Sequence, residues 1–203
     1  MTRFVKIIAL TAGLALAGVA AAAQAPPPTR IRGDIVSLNG DTLTVHRRSG
    51  DTVTIALKSD VPVNAVRKIA MADIKPGSFI GTTAKADTKG NLTAQEVHVF
   101  PESGRGTGEG HYAWDLGPHS TMTNANVDAV VQSTSGSDLH LSYKGGNNTI
   151  TIPPNVPIVT FIPAAEGDLT AGKKVFVVAS ASSANHFIAQ RVVVEKDGVA
   201  PPM

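Results

Sequence analysis

Residues 92–100 read LTAQEVHVF, and residues 187–195 read FIAQRVVVE. Both stretches carry the dipeptide Ala-Gln, at 94–95 and 189–190, and both mix apolar and polar side chains in the manner of a β-strand. Similarity at a fixed offset is the mark of an internal repeat. The pair therefore predicts that one structural unit occurs twice in the chain and that each copy ends in a strand.

Three further blocks recur in the same order upstream of these strands. They are DTVTI (51–55) with NTITI (148–152), DVPV (60–63) with NVPI (155–158), and ADIKPG (72–77) with GDLTAG (167–172). The offset is 97 residues at the first block and 95 at the later ones, as a short insertion in one loop would produce. The repeat predicts two domains, residues 30–100 and 124–197, joined by the Gly-rich segment 101–123.

Each copy reads as five short strands with a longer excursion between the third and the fourth. In the first copy, Asn39-Gly40 is typical of a hairpin turn, and a helical turn is predicted over 64–72. Five strands in this order favour a small closed barrel of the OB type, since closure leaves no exposed sheet edge. We therefore predict an all-β protein with two tandem five-stranded OB-like barrels. A small β-sandwich is the alternative for each domain.

The repeated pattern also resembles a known kind of protein. The order of hairpin, VPV or VPI, DIKPG or DLTAG, and LTAQEV or FIAQRV is similar to a bacterial family of exported small β-barrel domains of unknown function. The resemblance covers residues 30–100 and 124–196. It implies the fold and export, and it carries over no catalytic residue, because the shared motifs are turn residues and alternating strands.

The N-terminus predicts export from a bacterial cytoplasm. Arg3 and Lys6 precede the apolar run IIALTAGLALAGVA, and small residues follow it, as in a secretory signal peptide spanning 1–23. Cleavage is expected within 22–25, after Ala23. The predicted location is the periplasm or the extracellular space, with no membrane span after cleavage; a retained anchor is the alternative. The chain has no Cys, so its folded state contains no disulfide.

The charge balance argues against nucleic acid as a partner. The 203-residue chain has 18 Lys and Arg against 16 Asp and Glu, a formal net charge of +2. Arg3 and Lys6 would leave with the signal peptide, so the exported chain would be near neutral. Neither repeat shows the clustered basic face that nucleic-acid binding requires.

Several polar residues inside the repeats have simple structural interpretations. His46, His98 and His140 lie in predicted strands, where we expect solvated side chains. Asp73 and Asp168 occupy equivalent positions and are expected to shape a turn or cap a helix. The doublets Arg47-Arg48, Arg67-Lys68 and Lys173-Lys174 are expected on solvated faces, with weak attraction for anionic lipid or cell-wall polymer as the alternative.

Residues 104–122, GRGTGEGHYAWDLGPHSTM, lie outside both copies of the repeat and hold the only Trp of the chain. We expect this stretch to pack between the domains, with its aromatic side chains burying apolar surface and its glycines allowing close backbone approach. Because it is unique, it is also where a specific binding site is expected. The candidate binding residues are Arg105, Glu109, His111, Tyr112, Trp114 and Asp115.

A metal site in residues 109–122 is the alternative interpretation of this stretch. His111, His119 and Met122 supply imidazole and thioether groups, which suit copper, and the neighbouring carboxylates suit zinc. The histidines are eight residues apart with Gly117 and Pro118 between them, so no helix presents both on one face. Only a folded loop would bring these groups together.

No catalytic constellation is found in the sequence. GRGTGEG (104–110) lacks the Lys and the following helix of a phosphate-binding P-loop, and no Ser lies in a GxSxG elbow. The predicted function is therefore that of an exported, non-enzymatic binding or envelope-interaction protein without a cofactor. Its ligand would be an envelope protein, a polymer or a small molecule. The alternative is a periplasmic copper- or zinc-binding protein.

Overall fold

A computed structural model of the chain describes residues 27–133 and 136–202. The predicted signal peptide, residues 1–23, lies outside these described residues. Within them, no helix is long and apolar enough to cross a membrane.

The described residues form thirteen β-strands and three short 3-10 turns, which confirms the all-β prediction. The strands are β1 (Thr29–Asn39), β2 (Thr42–Arg47), β3 (Thr52–Ala56), β4 (Val63–Lys68), β5 (Phe79–Ala86), β6 (Leu92–Val99), β7 (Gly110–Ala113), β8 (Ser120–Ser133), β9 (Gly136–Tyr143), β10 (Gly146–Ile152), β11 (Ile158–Pro163), β12 (Lys174–Ser183) and β13 (His186–Val194). The 3-10 turns span Met71–Asp73, Glu102–Gly104 and Glu166–Asp168.

Five of the strands form a closed barrel. They follow the order β3-β2-β1-β12-β13, and β13 returns to pair in parallel with β3, from His186 opposite Thr54 to Ile188 opposite Ala56. All other neighbours in this barrel are antiparallel. The closed barrel thus takes three strands from the first repeat and the last two strands from the second.

The other eight strands continue the same sheet. Five of them follow the order β10-β9-β8-β5-β6, and β6 also pairs in parallel with β10, with Leu92 opposite Ile150 and Thr93 opposite Thr151. We call these five strands the second ring; it takes three strands from the second repeat and two from the first. β4 and β11 lie between the barrel and the second ring, and β7 pairs with β8.

The predicted tandem arrangement, with each barrel built from one repeat, is not confirmed. β4 pairs antiparallel with β11, and the equivalent residues Val66 and Phe161 lie opposite each other. β4 then lies parallel to β13, and β11 lies parallel to β6. The connecting strands therefore carry the chain from the barrel to the second ring and back, and the repeats exchange their last two strands.

Equivalent hydrogen bonds fix the start of β11 beside β6 and the start of β4 beside β13. The Val97 amide donates to the Pro157 carbonyl, and the Val192 amide donates to the Pro62 carbonyl, each at 3.0 Å. Because the repeats carry the same strand and turn residues, closing with the other copy satisfies the same kind of backbone hydrogen bonds as closing with its own. Local sequence therefore does not distinguish the two pairings.

The excursion between the third and fourth strands of the repeat is mainly extended, so the helical turn predicted over 64–72 is wrong. Only Met71–Asp73 turns, as a 3-10 helix after β4. The Asp73 carboxylate accepts the Ala70 amide at 2.8 Å, and Asp168 accepts the Ala165 amide at 3.0 Å. This confirms the capping role predicted for both carboxylates.

Three apolar cores hold the fold. One fills the closed barrel, with Ile31, Leu43 and Ile55 fully buried, and a second fills the second ring around Ile80 and Leu139. The third, which we call the central core, packs between them and consists of Val66, Phe79, Phe100, Val159, Phe161, Phe176 and Val193, with Trp114 partly buried against it. The central core joins the barrel and the second ring through their outer faces.

Candidate functional site

Of the Gly-rich segment predicted over 101–123, residues 120–123 belong to β8, and we call the remaining residues 101–119 the unique segment. It is packed against the sheet. β7 pairs antiparallel with β8, with His111 opposite Thr123 and Tyr112 opposite Met122. The Trp114 amide donates to the Ser120 carbonyl at 2.8 Å and so extends this hairpin by one residue. The side chains of β7 therefore have fixed positions on the sheet.

The side chain of Asn124, on β8, binds the unique segment through hydrogen bonds. Its Nδ2 lies 3.1 Å from each of three oxygens, the carbonyls of Thr107 and Gly108 and the Tyr112 hydroxyl. Gly108 has a φ of 57°, and a Cβ there would lie 3.0 Å from Asn124 Nδ2. Glycine at 108 thus allows both the backbone turn and the close approach.

Arg105 ties the start of the segment to the second ring. Its guanidinium donates to Asn126 Oδ1 at 2.6 Å and to the Gly77 carbonyl at 2.8 Å. It also donates to both carboxylate oxygens of Glu102. These hydrogen bonds fix the position of the segment on the second ring, so Arg105 has a structural role.

Glu109 and His111 face the β9–β10 hairpin. Glu109 Oε1 accepts the Lys144 amide at 3.0 Å. His111 Nδ1 lies 2.8 Å from Thr123 Oγ1 and 2.9 Å from Asn148 Nδ2. Partial burial lowers the pKa of the His111 imidazole, so the neutral ring is favoured at pH 7.

Trp114 and Asp115 instead face β1 of the closed barrel. The Arg30 guanidinium lies over the Trp114 ring, 3.9 Å from its centroid. Asp115 accepts two hydrogen bonds from Arg32, at 2.9 and 3.1 Å. Burial raises the pKa of the Asp115 carboxyl, but the hydrogen bonds from Arg32 and the charges of Arg32 and Arg30 outweigh it, and the net pKa is lowered.

A cleft of about 250 Å³ opens at this contact, and we call it the arginine cleft. It is lined by Arg30, Arg32, Arg47, Arg48, Ser49, Asp115 and Leu116. Two carboxylates oppose the four guanidinium groups, Asp115 and the Asp51 that pairs with Arg47. The cleft therefore keeps a net positive charge.

Donors in the arginine cleft remain available to a ligand. The Arg48 side chain has no hydrogen bond or ion pair with any described residue. Arg30 is held mainly by Trp114, and its nearest approach to Asp115 is 3.9 Å. Arg32, by contrast, already donates from both terminal nitrogens to Asp115. Several guanidinium groups converging on one concave surface can hold an anion through bidentate hydrogen bonds.

The structure divides the six predicted binding residues into separate places. Asp115 lines the arginine cleft and Trp114 orients one of its arginines. Tyr112 bonds to Asn124, while Glu109 and His111 face the β9–β10 hairpin. Arg105 is bound to Gly77 and Asn126, so only Trp114 and Asp115 of the six contribute to the arginine cleft.

The three predicted metal ligands are not brought to one face of the sheet. Met122 is 2% exposed and lies opposite Tyr112, whereas the exposed His111 lies opposite Thr123 and so points to the other face of β7. His119 is exposed in the turn after β7, with a φ of 58°. Within the ranges that the structure describes, no three His, Asp or Glu side chains form a group suited to a metal ion.

Sequence reasoning missed the part of the cleft that β1 provides. Arg30 and Arg32 alternate with the buried Ile31, and this alternation places both on the outer face of the strand. Arg47 and Arg48 were expected to be an isolated doublet on a solvated face. The β1–β2 hairpin brings both pairs together, with the Arg48 amide bonded to the Arg32 carbonyl at 3.0 Å.

His98 is buried, so the prediction that its side chain is solvated is wrong. It is 3% exposed instead of solvated, and its Nδ1 lies 3.1 Å from Oε2 of Glu96, which is 1% exposed. Glu96 Oε1 accepts the Thr83 amide at 3.1 Å and the Thr83 hydroxyl at 2.7 Å. The face of β6 that carries Glu96 and His98 is polar by sequence, but the rings of Phe100 and Phe161 in the central core pack against His98.

The fold and the cleft together define the class: an all-β protein with a closed five-stranded barrel and an arginine-lined cleft on its outer surface. Comparison with protein-family models, with curated proteins and with solved structures finds no match.

Proposed function

We propose that this protein is an exported, non-enzymatic binding protein that holds a phosphate-bearing ligand in the arginine cleft. The observation that carries the proposal is the convergence of Arg30, Arg32, Arg47 and Arg48 around about 250 Å³ with only two carboxylates among them. Phosphate offers three strongly accepting oxygens, which match several guanidinium forks at once. Arg32 and Arg47 are already paired with Asp115 and Asp51, so Arg30 and Arg48 are the guanidinium groups left for the ligand, and one phosphate can accept from both.

Pre-orientation of the arginines supports this assignment. Arg30 is stacked on Trp114, Arg32 is held by Asp115 and lies 5.1 Å from the Phe176 ring, and Arg47 is held by Asp51. Side chains that are already ordered lose less conformational entropy on binding. Arg48, which has no such support, would close on the ligand.

The architecture suits a protein that presents surfaces to its surroundings. We infer that the barrel and the second ring are two OB-like barrels related by strand exchange. In both, the strands run first-second-third-fifth-fourth, with the third and fifth parallel. An envelope location, as the 1–23 segment predicts, offers phosphate on lipid headgroups and on cell-wall polymers. These share the chemistry that the cleft would recognise.

Calorimetric titration with pyrophosphate tests the proposal. Wild-type protein should bind pyrophosphate at one site, and the affinity should fall at least ~10-fold in Arg30→Gln/Arg48→Gln, because two charge-assisted contacts are lost. Arg67→Gln, on an exposed face of β4, should bind as wild type does. Equal binding by the double variant and wild type, or none by wild type, would contradict the assignment.

A second experiment distinguishes a soluble phosphate ligand from the phosphate of a lipid headgroup. Wild type and the double variant are compared for sedimentation with phosphatidylglycerol vesicles and with phosphatidylcholine vesicles. A lipid headgroup as ligand predicts loss of phosphatidylglycerol binding in the double variant. Pyrophosphate binding without vesicle binding assigns the site to a soluble phosphate compound or polymer. Binding should weaken with salt in either case.

A further inference from the structure

A second cleft, of about 350 Å³, lies where β4, β11 and β13 meet the start of the unique segment. Its lining includes Asn64, Phe100, Ser103, Thr107, Phe161 and Arg191, and it shares no lining residue with the arginine cleft. Two phenylalanine rings and two prolines give it an apolar wall. One guanidinium supplies its only formal charge.

Arg191 is the unusual residue of this cleft. Its guanidinium carbon lies 4.3 Å from the centroid of the Phe161 ring. Its side chain forms no hydrogen bond or ion pair with any residue that the structure describes. The side chain is partly buried, and this partial removal of its charge from water lowers the pKa of the guanidinium. A desolvated charge without a partner costs free energy that an anionic ligand would offset.

Comparison of the repeats shows that this lack of a partner is specific to one copy. The position equivalent to Arg191 is Glu96, which is satisfied by its cross-strand neighbour Thr83 and by His98. The cross-strand neighbour of Arg191 is Val178, which has no polar side-chain atom. The fold therefore provides a polar partner at one of the two equivalent positions and leaves the other open to a cleft.

Neutral polar groups stand beside the free guanidinium. The side chains of Asn64, Ser103 and Thr107 line the same cleft and make no hydrogen bond with other described residues. Ligand sites typically combine an apolar wall with a few convergent polar groups, in volumes of roughly 300–1,000 Å³. The cleft has this composition, and its size lies at the small end of the range.

We propose that this cleft binds a small monocarboxylate with an apolar body, such as a medium-chain fatty acid. The carboxylate would pair with the Arg191 guanidinium and accept from the hydroxyls of Ser103 and Thr107. The hydrocarbon would lie against Phe100 and Phe161. One guanidinium matches one carboxylate in charge, in contrast to the multiple arginines of the arginine cleft.

Titration of the full chain with octanoate, below its micellar concentration, tests this proposal. We expect saturable binding at one site, a loss of at least ~10-fold in affinity in Arg191→Gln, and partial retention in Arg191→Lys. Octan-1-ol, which has the same hydrocarbon length without the charge, should bind at least ~10-fold more weakly. Ser103→Phe, which places a ring in the cleft from an exposed position, should block octanoate without removing the charge.

Reciprocal controls test whether this site and the arginine cleft bind their ligands independently. Arg30→Gln/Arg48→Gln should bind octanoate as wild type does, and Arg191→Gln should bind pyrophosphate as wild type does. Thermal unfolding by circular dichroism confirms that each variant is folded. Absence of octanoate binding by wild type, equal binding by folded Arg191→Gln, or equal affinity for octan-1-ol would each overturn the assignment.

Discussion

Gly81 lies directly opposite His98 in the β5–β6 ladder, and a Cβ at Gly81 would come within 2.0 Å of His98 Nε2. The equivalent cross-strand pair in the other repeat is Phe176 and Val193, both in the central core. In the first repeat, Gly81 has no side chain and faces an imidazole. In the second repeat, the phenyl ring of Phe176 faces the smaller side chain of Val193. The repeats have therefore diverged here by compensating changes of size on the two paired strands.

Gly81→Ala should destabilise the protein by about 1–3 kcal/mol, because the added methyl group collides with an imidazole that is packed between Phe100 and Phe161. Urea unfolding measures the change. Gly167→Ala is the matched control, since a Cβ there meets no atom within 4 Å and should change stability little. A Gly81→Ala variant as stable as wild type would show that the imidazole relocates freely.

Asp115 links the unique segment to the barrel through a charge-dependent contact. Its folded-state pKa is lowered, so its stabilising contribution is present above the unfolded pKa of about 3.9 and is lost as the pH falls through the folded value. The carboxylate is 44% exposed, and solvent screening limits this contribution to roughly 1 kcal/mol or less.

Asp115→Asn should therefore lower stability slightly at pH 7, and the difference from wild type should shrink as the pH falls below the usual carboxyl range and the wild-type side chain becomes protonated. Urea midpoints across this range measure it. Asp60→Asn, which alters an exposed carboxylate outside these contacts, should show no such convergence. A difference that is constant with pH would mean that the charge of Asp115 does not matter.

At the scale of elements, the segment 101–119 acts as a brace between the two halves of the sheet. Arg105 binds it to Gly77 and Asn126 beside the second ring, and Asp115 binds it to β1 of the barrel. Between these contacts, β7 extends the sheet at β8 and Trp114 packs on the central core. Packing thus explains Gly108 and Trp114, while the C-terminal end of the segment also shapes the arginine cleft.

Trp114→Ala should lower the thermal unfolding midpoint, with a loss of about 1–3 kcal/mol, since a partly buried indole and its stacking with Arg30 are removed. Differential scanning calorimetry measures the change. Val131→Ala, at an exposed apolar position on β8, is the control and should have little effect. An unchanged midpoint for Trp114→Ala would contradict the bracing role.

At the scale of the whole molecule, the main feature is the exchange of strands between repeats. The ladders β1–β12, β3–β13 and β5–β8 each join one repeat to the other. Neither repeat closes on its own strands. The two halves therefore depend on each other for their hydrogen bonds and their cores, and we expect them to unfold together.

A cysteine pair tests the exchange, since the natural chain has no Cys. Thr54 and His186 are cross-strand neighbours in the structure, so Thr54→Cys/His186→Cys should oxidise to an intramolecular disulfide. The repeat-equivalent of His186 is Asn91, so Thr54→Cys/Asn91→Cys should remain reduced. Mass spectrometry and non-reducing electrophoresis read both outcomes. The opposite result would restore the tandem arrangement, with each barrel built from its own repeat.

Most strands and turns were predictable because their signals are local. Alternation of apolar and polar residues marks strands such as β2, and Gly40, with a φ of 58°, completes the Asn-Gly hairpin expected there. The extended β4 was not predictable in this way, since Val63–Lys68 becomes a strand only by pairing with β11 and β13. Of the candidate site, the sequence indicated Trp114 and Asp115 but not the arginines that surround them.

By itself, the sequence determined that the described chain is all-β, that one unit occurs twice, and that a single stretch stands outside both copies. These features follow from residue periodicity and turn chemistry within a few positions along the chain. Only the tertiary structure decided which copy supplies the last two strands of each ring, and so which side chains meet at the two clefts. Equivalent repeats offer nearly the same hydrogen bonds to either partner, so that choice depends on contacts such as Val66 with Phe161, 95 residues apart.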